Sequence, residues 1–401
     1  MDQGQGAAGA TAGDLSVGEL LPDFDFFDQS HAPRADDVLR YARETCPVPH
    51  TTATGGYYIA TSYDAATRVL GDQATFSSHE YVNIAGSGGV ILPPIDADPP
   101  AHHDFRQLLN PFFHPRYLGR SEDKVRGIAR AAMQSWLDSG RCEFVHDFAG
   151  PFVTDVLAQV VFDADDPELF RQAAICNDRV SEGDVSAFPE FRALMVEFLE
   201  KQVPEDDAGG IVSAVKNGTV QGRPLTEDEK VGVVQILFSG GLDTTKVAIS
   251  DIVCELAQRP DLEDRLRAPG WEKTTLDELL RYSSPVGALG RLVTRDVELG
   301  GQQLHAGDRV LVHYGSANHD ASVFDSPDEL VFDRERNPHI AFGLGIHRCI
   351  GIHLARMQVR VALTELLDRV TRIRLAPGAS LHRRPGISKV LRELRIEFDQ
   401  R

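Results

Sequence analysis

The chain of 401 residues is poor in several things, and each shortage removes a class of protein. Cysteine is scarce: Cys46, Cys142, Cys176, Cys254 and Cys349 are odd in number and far apart, with no C-x-x-C pair. That argues against a disulfide framework or a structural zinc site. Cationic residues are the minority, 41 Lys and Arg against 60 Asp and Glu, for a formal charge of −19. Such a balance disfavours nucleic acid and anionic membrane as partners. No run of about 18 apolar residues occurs, and the N-terminus lacks the basic start and apolar core of a signal peptide. No membrane anchor and a cytoplasmic location are therefore expected. No G-x-G-x-x-G opens a βαβ unit, so no flavin or nicotinamide site of that type is expected.

What is present reads as a globular protein, 42% hydrophobic and 25% charged. Residues 1–14, small and polar, are expected to be a disordered lead-in. No linker interrupts the rest, so 15–401 is expected to form one domain. Helical patterns dominate and strands are few and short, which predicts a mainly α fold with small β-sheets, in the α+β class. The segment 57-YYIATSY-63 reads as a strand, as does 308-DRVLVHY-314. Residues 79–97 are rich in Gly and Pro and read as a long loop of the kind that forms lids.

The strongest helical signal is 226-TEDEKVGVVQILFSGGLDTTKVAISDIVCELAQ-258. Thr226 and Glu229 form a capping-box pair at its start, and Arg259-Pro260 stops it. A helix of about 50 Å spans a whole domain and has to be a central strut. Yet Gly240-Gly241-Leu242-Asp243-Thr244-Thr245 puts poor helix formers in its middle, each glycine costing about 1 kcal/mol relative to alanine. The missing side chains leave a groove for a ligand, and a threonine hydroxyl can bond the carbonyl one turn back.

A second anomaly is 342-FGLGIHRCIG-351. Gly343, Gly345 and Gly351 allow positive φ and close approach of a flat group. Cys349 stands just ahead of an amphipathic helix, where helix N–H groups favour a thiolate. This stretch matches F-G-x-G-x-H-x-C-x-G, the haem-binding signature of the cytochrome P450 family, at every fixed position. Six fixed positions recur by chance on the order of once in 10⁵ or 10⁶ chains. Two further motifs follow the family's order. The GGLDTT segment resembles its oxygen-activation motif, and Glu278-Leu279-Leu280-Arg281 resembles its E-x-x-R.

The resemblance covers roughly residues 15 to 400. It implies a long central helix over a haem, with the cysteine loop on the opposite face. Cys349 would be the metal ligand, of haem b (iron protoporphyrin IX), with Phe342, Gly343, Gly345, His347, Gly351, Gly240 and Gly241 around the cofactor. The two haem propionates call for cationic donors. By the family's layout these are His102, Arg106, Arg291 and His347, with His103 a competitor for His102. Ala101 departs from the family, which usually has an acid there. Asp243 and Thr244 would be the catalytic acid–alcohol pair that delivers protons. Glu278 and Arg281 would be joined in a buried network by Arg334 or Arg336. Substrate contacts would come from Ile236, Gly240, Val286, Ala288, Leu289 and Ile387, the 79–97 loop and the 176–190 region; the apolar wall suggests a hydrophobic small molecule.

The implied activity is a haem-thiolate monooxygenase that inserts one atom of O2 by hydroxylation or epoxidation, in a role suited to secondary metabolism. Electrons would come from a separate ferredoxin or flavodoxin with its reductase. Arg106, Arg116, Arg120, Arg348, Arg356 and Arg360 are the expected docking patch for an acidic partner. A peroxygenase, a haem-based sensor or carrier without turnover, and a cysteine-nucleophile hydrolase are the competing readings.

Overall fold

In the computed structural model the described residues are 15–86, 89–181, 184, 186–201, 209–384 and 386–401. The expected lead-in therefore lies outside them, as do residues 87–88 of the Gly-rich loop and parts of the 176–190 region. Helices form the bulk, with sheets to one side. The main sheet has five strands in the order His50–Thr51, Tyr57–Ala60, Arg309–His313, Ala288–Val293, Phe76–Ser77. Only the pairing of Tyr57–Ala60 with Arg309–His313 is parallel. A second sheet pairs Arg395–Gln400 with Val370–Leu375 and Arg141–Glu143. Both sheets join segments far apart in sequence.

The strut spans Glu227–Gln258, 32 residues and about 48 Å. Its start is held as its sequence predicts: the Glu229 N–H donates to Thr226 Oγ1 at 3.2 Å, and the Thr226 N–H donates to the Glu229 carboxylate at 2.8 Å. Arg223 then clamps the same carboxylate with two bonds of 2.7 Å. The helix is buried over most of its length, which explains its weak polar–apolar alternation. Around it, Phe162, Phe170, Phe191, Phe198 and Phe238 form one aromatic cluster in the main core. The helix Ile352–Leu367 packs beside the strut and against Glu122–Met133.

Two strand readings end early. The first stops at Ala60, because Ser62 caps a helix over Tyr63–Gly71 by accepting from the Ala65 N–H. The second stops at His313, and Tyr314 begins a short helix. Residues 79–97 hold no regular element among those described, as expected. This loop comes down on the strut at Gly232, where a β-carbon would lie 2.2 Å from the Ile91 carbonyl oxygen. Only glycine admits that approach.

Candidate active site

The cysteine loop is folded by its own backbone. The Cys349 N–H donates to the Phe342 carbonyl at 2.8 Å, and the Gly343 N–H donates to Ile340 at 2.8 Å. Gly343 and Gly345 have φ of 71° and 69°. Gly343 lines a cavity facing the strut, but Gly345 does not: a β-carbon there would strike the Leu70 carbonyl oxygen at 2.3 Å. Its place is therefore fixed by packing on the Tyr63–Gly71 helix, not by contact with a ligand.

The cavity measures about 250 Å³. Cys349, Phe342, Gly351 and His347 line one wall; Ile236, Gly240, Gly241 and Thr244 of the strut line the other. Nothing lies within 4 Å of a β-carbon built on Gly240, so the groove is open there. Gly241, although at the wall, directs that position onto Leu157 at 2.9 Å, so its smallness serves helix packing. Cys349 is exposed by surface area yet deep in the molecule, because its sulfur faces this interior space.

Burial pushes the Cys349 thiol up; the Gly351 N–H and the charges of Arg106 and Arg348 pull it down without prevailing. A coordinating metal deprotonates a thiol outright. Among the described residues no three His, Cys, Asp or Glu side chains gather as a metal cage. A lone cysteine suffices only for a metal that brings its own equatorial ligands, as porphyrin iron does.

Of the donors expected for the propionates, His102, Arg106 and His347 line the cavity; Arg291 does not, although its charge acts on His347. His102 is 5% exposed and lines the cavity, whereas His103 is exposed. The His102 ring packs edge-on to His347, centroids 4.5 Å apart, and its Nε2 is buried with no hydrogen-bond partner. His347 Nε2 meets Ser78 Oγ at 3.0 Å, and Arg106 Nη1 donates to the Arg348 carbonyl at 2.8 Å. Burial, then the charges of Arg291, His102 and Arg106, push the His347 imidazole far down. Arg291 is 3% exposed and bonds only to the carbonyl of its neighbour Gly290 among the contacts described. An orphaned imidazole nitrogen, an under-used buried guanidinium and an open groove opposite a cysteine fit a dianionic flat cofactor.

Thr244 and Asp243 part company. The Thr244 hydroxyl lines the cavity and donates to the Gly240 carbonyl at 2.8 Å. Asp243 points to the other side of the strut, where its carboxylate accepts from Ser181 Oγ at 2.7 Å and lies 3.2 Å from Lys246 Nζ. Lys246 is also bonded to Asp178.

Glu278 and Arg281 are buried, joined by bonds of 2.8 and 2.9 Å, and the third member is Arg334, whose Nε reaches both Glu278 oxygens at 3.0 and 3.1 Å. Arg336 is exposed. Of the apolar wall, Val286 and Leu289 line the cavity. Ala288, one residue out of phase on the strand, instead packs with Phe24 and Phe26, and Ile387 is exposed. Among the lining residues that escaped the sequence reading, Ile95 was covered only by its loop, while Tyr314 and Gln358 were not singled out. Gln358 had a signal, since Gly351, Leu354, Ala355, Gln358 and Val359 follow the helical period on one face. Tyr314 had none. Within the docking patch, Arg356 is engaged by Asp277 at 2.7 Å and Arg360 by both Glu122 oxygens. Exposed Arg116, Arg120 and Arg348 remain.

Comparison with known proteins agrees with this geometry. The cytochrome P450 family model matches residues 273–374. A putative cytochrome P450 126 of Mycobacterium tuberculosis is 31% identical over 381 residues, 87% of this chain and 90% of the relative. Linalool 8-monooxygenase of Pseudomonas putida is 31% identical, over 73% of this chain and 74% of its own. The crystal structure of CYP109E1 from Bacillus megaterium, solved with testosterone, superposes with a TM-score of 0.81 at 27% identity, covering 93% of this chain and 98% of that one.

A cavity with a lone cysteine on one wall and a notched helix on the other is thus the site of a haem-iron oxidoreductase. The chain belongs to the cytochrome P450 family and is a monooxygenase of its bacterial type. Among the described residues no helix is long and apolar enough to cross a membrane.

Proposed function

We propose that residues 15–401 act as one domain that binds haem b through Cys349 and oxygenates a hydrophobic small molecule at a C–H bond or double bond. The observation that carries this is the opposition of Cys349 and the Gly240–Thr244 groove across one cavity. When bound, thiolate-ligated haem iron supplies the O2-activating chemistry that no side chain here could provide.

The protein's own part is to bind, orient and deliver protons. His102, Arg106, Arg291 and His347 hold the carboxylate edge. Thr244 lines the cavity with its proton spent on Gly240, so it relays a proton inward once the hydroxyl turns from that carbonyl and accepts another from beyond. Asp243 supplies protons from the far side of the strut, provided its carboxylate leaves Ser181 and Lys246. Ile236, Val286, Leu289 and Ile95 exclude water from the substrate.

Electrons come from a ferredoxin or flavodoxin with its reductase, in the cytoplasm. Exposed Arg116, Arg120 and Arg348 favour an acidic surface on that partner. Steady turnover with O2 and an electron donor would favour this reading over a peroxygenase or a sensor.

The test is spectral and kinetic. The purified protein should be red, its ferrous carbonyl complex should show the red-shifted Soret band, and Cys349→Ser should lose that band. Hydrophobic compounds that shift the resting spectrum should raise NADPH consumption with a surrogate ferredoxin pair. A colourless protein, or ligands that shift the spectrum with no O2-dependent product, overturns the proposal.

A further inference from the structure

A second cavity opens between the helix Ala35–Thr45, the C-terminal half of the strut and the side chains of Arg383, Arg384 and Lys389, and nothing in the oxygen chemistry uses it. Exposed Asp36 and Arg40 stand at its mouth; buried His313 and Ser316 form its floor. His313, Lys389 and Arg43 are among the side chains that line it. His313 Nδ1 accepts the Ser316 N–H at 2.9 Å, which leaves the proton of the neutral ring on Nε2. Burial first, and then the charge of Lys389, lower this imidazole to about 3, so the ring is neutral at pH 7. The residue is 1% exposed, and its Nε2 is buried without an acceptor.

Lys389 belongs to the same space. Its Nζ and His313 Cε1 lie 3.2 and 3.3 Å from one point, the position a β-carbon of Gly315 would take. Its carboxylate among the described residues is exposed Asp36, at 3.5 Å. Arg43 completes the set, donating from Nη1 to Ser316 Oγ at 2.8 Å with no carboxylate in ion-pair range among the described residues. The other acids of the lining are engaged: Asp251 by Arg383 and Ser283, and Glu255 by Arg259. Asp328 faces Arg40 at 3.9 Å. A buried neutral donor flanked by two cations calls for an acceptor that carries negative charge.

We propose that this cavity is an anion site, which takes the carboxylate or phosphate head of a small organic acid between Arg43, Lys389 and His313 Nε2. It is independent of the haem cavity and of the reaction proposed there. Phosphate stabilises any fold by exclusion, so thermal stability is the wrong readout. Isothermal titration calorimetry of the haem-loaded protein does better, with inorganic phosphate and then acetate, at ionic strength held constant with chloride. A saturable single-site heat is expected with at least one ion, and which ion binds identifies the head group. Arg43→Gln and Lys389→Gln should each weaken it about tenfold or more, the loss of one charged hydrogen bond, with the visible spectrum unchanged. Should Arg43→Gln fail to fold, the partly exposed Lys389→Gln alone decides. No saturable heat with either ion, or equal affinity in variant and parent, overturns the proposal.

Discussion

Two acid–base pairs in this protein have the same spacing, three residues apart on a helix, and opposite characters. In the pair Glu278–Arg281 every polar atom is occupied. Arg281 spends its remaining donors on the carbonyls of Asn318, Pro327 and Glu329, and Glu278 also accepts from Val331, Asn337 and Arg334. In the pair Asp243–Lys246, one buried carboxylate oxygen has no well-aligned donor, and Lys246 is shared with the partly exposed Asp178. A fully satisfied network has nowhere better to go, so it fixes geometry. A partly satisfied one has alternatives close in energy, so its members can change partners. The first behaves as scaffold under the cysteine loop, the second as a part that moves.

The sharpest way to break the comparison is Glu278→Ala. It strands the buried Arg281 and should cost about 3–5 kcal/mol in urea denaturation, with loss of haem from what remains folded. Next, Lys246→Met should cost less, about 2 kcal/mol, because Asp178 reaches solvent and can rehydrate. It should also release Asp243, so the solvent isotope effect on turnover should change; an unaltered value counts against a moving carboxylate. Asp243→Asn should slow turnover at the same proton-dependent step. Thr244→Val removes only one hydroxyl bonded within its own helix, about 1 kcal/mol or less, yet should divert reducing equivalents to peroxide.

The smallest effect is in acid. Burial alone would raise the Glu278 carboxyl, but Arg281, the Val331 N–H and Arg334 outweigh it and hold it below the usual range. Its stabilisation is present above about pH 4.5 and is lost as pH falls through the lowered folded value. Asp178 is raised, by burial ahead of the opposing pull of Lys246. Its contribution has the reverse sign, fullest below about pH 3.9 and lost as pH rises through the folded value. Asp178→Asn should therefore steepen acid unfolding slightly, whereas Glu278→Gln should flatten it. Equal slopes in the two variants would dissolve the distinction.

Much of the site was legible before any coordinates. Chemistry that needs particular atoms at close spacing leaves short motifs: Cys349 behind its glycines, Thr244 beside Gly240, and Glu278 with Arg281. What local spacing does not record is which way a neighbour points. Asp243 and Thr244 adjoin in sequence, but about 100° of helical turn separates their side chains, sending one to the cavity and the other to Lys246. Ala288 and Leu289 are divided in the same way by the strand's two-residue period.

The sequence by itself determined the family, the lone sulfur, the strut and its notch, because local spacing and backbone propensity write these directly into the chain. The tertiary structure put His102 and not His103 on the cavity wall, and Arg334 and not Arg336 on Glu278. It also separated the glycines that make room for a ligand from those that make room for protein. It alone brought Arg43, His313 and Lys389 together. Their meeting depends on packing between segments as much as 346 positions apart, which no local pattern records.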